Sequence, residues 1–147
     1  MTIYDYFKEY NDAYYNMKDK LIELKEAEKN FISLTGTKPS EYPKNNSNGN
    51  FGFADQLARI EKIIVDYKKL EKDYLKERDK CVTAINKVNK HKHRTILMLF
   101  FIERKNIKEI SNVLSRTYKL YYTIDYIKKL KSIAIREFEK VTFFHEK

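Results

Sequence analysis

The residues best suited to chemistry lie near the C-terminus, in TIDYIKKLKSIAIREFEK from Thr123 onward. Ile127, Leu130, either Ile133 or Ala134, Phe138 and Val141 recur at helical spacing, which predicts an amphipathic helix. Thr123 suits its N-cap, and Asp125 falls in the first turn, where a carboxylate complements the helix dipole. With Ile127, Leu130 and Ala134 inward, the outward positions are Ile124, Asp125, Lys128, Lys129, Ser132 and Arg136. That set is equipped to bind nucleic acid. On such a face Lys128 and Lys129 would reach guanine edges or phosphates, Asp125 would accept from a cytosine amino group, and Ser132 and Arg136 would meet the backbone. From the helix wheel alone, an ordinary solvated charged face fits equally well.

Other chemistries lack the residues they need. His91-Lys92-His93 supplies two imidazoles, but no Cys, third His or paired carboxylate stands nearby at ligand spacing, so both are read as solvated. The sequence has no Gly-rich phosphate loop and no Ser-His-Asp or Cys-His set. Its carboxylates alternate with lysines, as on exposed helix faces. No catalytic residue, metal site or cofactor is expected, and the chain is not read as an enzyme.

The elements that must carry the basic helix are themselves legible. With only 3 Gly and 2 Pro among 147 residues, and 35% charged residues, the composition predicts an all-α protein. Ile3, Phe7, Tyr10, Tyr14, Met17, Leu21, Leu24 and Phe31 form a heptad seam, broken once by Glu28. The tyrosines on or beside it read as core rather than as base-stacking platforms. Residues 35–53 hold every glycine and proline and read as a loop. A second seam runs through Leu57, Ile60, Ile64, Tyr67, Tyr74, Cys81, Ile85 and Val88, with Glu71 and Arg78 as polar exceptions. Two such helices predict a long, coiled-coil-like antiparallel hairpin over residues 1–90. Neither seam is wide enough to close a core alone, which implies burial against the C-terminal domain or a second copy.

Three shorter helices are predicted in residues 91–147. RTILMLFFIER is apolar nearly all round and should be the buried centre. The next starts near Asn106 with Ile107, Ile110, Val113 and Leu114 on one face, and the last starts near Thr123. Charge separates the two regions. Residues 1–90 hold 17 Lys/Arg against 15 Asp/Glu, whereas residues 91–147 hold 13 against 6. Most of the net +9 therefore sits in the final 57 residues, the footprint of a polyanion-binding element. The single cysteine, Cys81, excludes an internal disulfide. The charged start MTIYDYFKEY and the short apolar run 96–102 argue against a signal peptide and a membrane span, giving a cytoplasmic reading.

IKEISNVL followed by TIDYIKKLKSIAIREFEK resembles the helix-turn-helix of bacterial sigma factor region 4. The resemblance rests on Glu109-Ile110-Ser111, Leu114, Thr123, Ile127 and Ala134. The connection from Leu114 to Thr123 departs from that pattern, longer by about six residues, with SRTYKL as the extra segment. The order of elements over nearly the whole chain resembles late transcriptional regulators of the ArpU and RinA type, from phages and phage-related islands of low-GC Gram-positive bacteria. The resemblance implies sequence-specific promoter binding and activation of late packaging and morphogenesis genes. The helix from Thr123 would read the major groove while Lys119, Lys131 and Arg136 hold phosphates. Implied partners are double-stranded promoter DNA, RNA polymerase, a second copy through the N-terminal hairpin, and a phage-encoded modulator protein. Two rivals stand beside this reading. A small terminase-like packaging subunit would form a ring, and a helical adaptor or inhibitor would bind protein and leave DNA alone.

Overall fold

The scarcity of glycine and proline has the expected result: among the described residues every regular element is helical and no strand occurs. The computed structural model describes residues 1–35 and 51–144. Six α-helices run in order: α1 Ile3–Tyr6, α2 Lys8–Thr35, α3 Phe51–Ile85, α4 His91–Leu97, α5 Ile107–Tyr118 and α6 Ile124–Phe143. Most of the loop read at 35–53 lies outside the described residues, although positions 51–53 are already helical. No helix is long and apolar enough to cross a membrane among the described residues.

The chain divides into two compact units, Met1–Tyr10 with Lys76–Lys147, and Asn11–Leu75. The boundary read at residue 90 follows the fading heptad; the packing instead groups residues 1–10 and 76–90 with the C-terminal helices. The reason is aromatic. Phe7 stacks on Phe101 at 4.9 Å between ring centroids and meets Phe138 at 5.8 Å, while Tyr6 meets Phe138 at 5.5 Å. Large rings bury more area per residue than aliphatic side chains, so a short N-terminal segment carrying two of them docks firmly. Two polar contacts fix it further. The Ile3 N–H donates to Glu139 Oε2 at 2.9 Å, and the Tyr10 hydroxyl donates to the Ile102 carbonyl at 3.1 Å. The turn α1 is closed by a capping box, Thr2 Oγ1 accepting from the Asp5 N–H and Asp5 accepting from the Thr2 N–H. The Thr2 N–H and the Thr2 hydroxyl, both donating to the Asp5 carboxylate, hold it below the usual carboxylate range.

In this larger unit α6 packs against α4, α5 and α1. RTILMLFFIER is buried as its composition implies, with Ile96, Leu97, Leu99, Phe101 and Ile102 in the core. It is not one regular helix: α4 widens into a π-helical segment at Met98–Ile102, capped by Glu103, and Arg104 just beyond it has φ 58°. The Glu103 N–H reaches back to the Met98 carbonyl at 2.9 Å, the i→i−5 bond of a π turn. Ahead of α4, the Arg94 guanidinium donates to the Val88 and Asn89 carbonyls at 2.7 and 2.6 Å, tying the connection from α3.

The smaller unit is built from the remaining parts of α2 and α3. Only Phe31, Ile60 and Ile63 are buried among its described residues, and Ile63 lies one position off the seam read from the sequence. Tyr14, Met17, Leu21, Leu24, Leu57, Ile64 and Tyr67 are half-buried, and Tyr14 packs against Tyr74 at 5.9 Å. Among the polar exceptions, Glu71 accepts a hydrogen bond from the Tyr67 hydroxyl at 3.3 Å.

Candidate nucleic-acid interface

The basic face depends on how α5 and α6 are joined. Asn106 caps α5, accepting from the Glu109 N–H at 2.8 Å while Glu109 accepts from the Asn106 N–H at 3.0 Å. The acidic residue of the Glu109-Ile110-Ser111 triplet is thus half of a capping box. Ile110 and Leu114 are fully buried; Ile107 and Val113 are half-buried.

The connection from Leu114 to Thr123 is shorter in space than its sequence suggests. The helix runs on through Tyr118, so residues 115–118 add a turn of helix rather than lengthen a loop. Four residues, 119–122, then reach the Thr123 cap. Lys119 ends α5 in the left-handed conformation with φ 56°, a place where glycine is usual and a lysine costs about 1–2 kcal/mol. Three bonds fasten the chain between Lys119 and the start of α6. The Ser111 hydroxyl donates to the Tyr122 carbonyl, the Tyr122 N–H donates to Ser115 Oγ at 3.2 Å, and Thr123 Oγ1 accepts from the Tyr126 N–H at 3.1 Å. Ser111 itself is buried, so the small hydroxyl of the triplet supports the turn.

Along α6, Ile127, Leu130, Ala134 and Phe138 are buried and Ile133 is 44% exposed, which decides the open choice between Ile133 and Ala134. Thr123, Asp125, Lys128, Lys129, Ser132 and Arg136 are all exposed. Lys128, Lys129, Ser132, Ile133 and Arg136 line one shallow depression on the helix surface. Ser132 Oγ donates back to the Lys128 carbonyl at 3.1 Å, which keeps it close to the helix. Lys119 is exposed at the turn.

Lys131 departs from this group. Its ammonium lies 3.6 Å from the centroid of the Phe100 ring, a cation–π contact, and burial pushes its pKa down. A half-buried amine engaged with an aromatic ring is poorly placed to hold a phosphate.

Of the two neighbouring imidazoles expected to be solvated, only His91 is exposed. His93 is buried, with Nδ1 among the buried polar atoms that have no hydrogen-bond partner. Burial chiefly, then Lys90, lowers its pKa, with Glu137 opposing. Lys92 lies over the rings of Tyr118 and Tyr122 at 5.7 and 5.4 Å. This aromatic cluster, with Tyr126 5.6 Å from Tyr122, escapes sequence reading because SRTYKLYY has no simple period. Among the described residues no group of three or more His, Cys, Asp or Glu side chains is arranged to hold a metal ion.

No protein-family model, curated protein or solved structure matches the chain.

Proposed function

We propose that the chain is a sequence-specific DNA-binding transcriptional activator of late packaging and morphogenesis genes in a phage or phage-related island, working in the cytoplasm of its bacterial host. In this reading α5, the 119–122 connection and α6 form a helix-turn-helix of the sigma region 4 kind, and α6 enters the major groove. Lys128 and Lys129 contact guanine edges or phosphates, Asp125 accepts from a cytosine amino group, and Thr123, Ser132, Lys119 and Arg136 meet the backbone. Residues of α2 and α3 form the antiparallel, coiled-coil-like hairpin that pairs with a second copy, or receives RNA polymerase or a phage-encoded modulator.

The observation that carries the reading is the exposed depression shared by Lys128, Lys129, Ser132 and Arg136 on a helix whose other face is core. A fastened four-residue connection and the basic excess of the last 57 residues support it. The test is to map bound DNA across the element's own genome at two salt concentrations. Peaks upstream of a late operon, weakening as salt rises, are expected, because each neutralised phosphate contributes a slope of about −0.9 in log K against log salt. Changing Lys128 and Lys129 together to Ala should cost about 1–3 kcal/mol at each specific contact. A double variant that binds those fragments as tightly as the parent removes α6 as the reading helix.

A further inference from the structure

Just ahead of the basic face, the chain exposes apolar surface on a fastened turn. Leu120 is 61% exposed, Tyr121 87% and Ile124 46%. Contiguous exposed apolar surface is where interaction sites are found, and these three residues fall within five positions of the chain. These are held rigidly, because Tyr122 beside them is buried, bonded through its carbonyl to Ser111 and through its N–H to Ser115, and Thr123 caps α6. Ile124, Lys128 and Ser132 succeed one another at steps of four, so an apolar residue opens the face that the polar ones continue.

The charge here narrows the occupant. Arg116, Lys119, Lys128 and Lys129 are exposed at this end of the helix pair, against Asp125. The complementary surface is anionic and carries apolar groups of its own. An anionic lipid surface has that chemistry, but a helix lying on lipid needs its apolar stripe free, and the Ile127, Leu130, Ala134 and Phe138 stripe of α6 is buried. Duplex DNA fits better: its major groove offers one apolar group, the C5 methyl of thymine.

Resting on the DNA-binding reading above, we propose that Leu120, Tyr121 and Ile124 read thymine, packing against C5 methyl groups beside the bases and phosphates held by Lys128 and Lys129. The site then favours thymine at the positions facing the 119–122 connection, a preference that the lysines alone do not supply.

The test isolates the methyl group. Duplexes recovered by the full chain from a random-core pool are resynthesised with deoxyuridine in place of thymidine. Affinity should fall about four-fold for each contacted methyl, the equivalent of one buried carbon. The single variants Tyr121→Ser and Ile124→Ser, changed at exposed positions, should bind the thymidine duplex more weakly and distinguish the two duplexes less. Equal binding of both duplexes by the parent chain overturns the thymine contact and leaves DNA binding standing. Variants that keep the full preference overturn its assignment to these residues. Retention of no duplex at all removes both readings, and capture by phosphatidylserine vesicles in that case assigns the patch to lipid.

Discussion

Leu24 and Phe138 both sit at apolar positions of amphipathic helices, yet Phe138 is fully buried and Leu24 only half. The difference comes from how many elements surround each. In the larger unit, α6 meets α1, α4 and α5, so its stripe is covered from several directions. In the smaller unit, among the described residues, only Phe31, Ile60 and Ile63 are buried, and the other apolar seam positions are half-buried. The first heptad seam crosses this divide: Ile3, Phe7 and Tyr10 are buried, whereas Tyr14, Met17, Leu21 and Leu24 are half-buried. One sequence pattern therefore carries buried residues in one unit and half-buried ones in the other.

The sharpest way to break this contrast is truncation in each unit. Phe138→Ala should destabilise by about 3–5 kcal/mol, because a cavity is left among Phe7, Tyr6 and Phe143, while Leu24→Ala should cost about 1 kcal/mol. Urea unfolding followed by circular dichroism measures both. Equal losses would mean that the seam is as closed as the core. A smaller effect is expected at the turn. Ser111→Ala leaves the buried Tyr122 carbonyl without its donor, at a cost of about 1–3 kcal/mol, and, if the proposed DNA-binding role holds, should loosen DNA binding through the connection it fastens. A variant of full stability with weakened binding would show that Ser111 acts on the interface alone.

The smallest expected effect is a pH dependence confined to the larger unit. His93 has a folded-state pKa below its ordinary 6.5, so the unfolded chain binds the extra proton as pH falls. The stability held above pH 6.5 is lost progressively below it. His93→Gln should shrink the drop in melting temperature between pH 7 and pH 5. An unchanged drop would assign the acid sensitivity to other groups.

Much of the framework is legible from residue type and spacing. Thr123 is an N-cap as its residue type implies, α5 starts beside Asn106 where its apolar face begins, and the Ile127, Leu130 and Phe138 stripe is core because it recurs at helical period. The outward set on α6 is legible for the same reason, with Lys131 as the departure. A wheel gives the direction of a side chain from its own helix but not the ring that another helix brings to it, here Phe100. His93 escapes likewise: its neighbours in sequence are polar, and only packing buries it.

The sequence by itself determined the all-helical character, the Thr123 cap, the outward positions of α6 and the course of the seams, because these depend on contacts within a few residues along the chain. Only the tertiary structure decided which parts of the seams close. It also decided that residues 1–10 pack with the C-terminal helices, that residues 115–118 extend α5, and that Lys131 turns to Phe100. Those outcomes rest on pairs such as Phe7 with Phe138 and Tyr10 with Ile102. Such pairs lie far apart in sequence, and no local period encodes them.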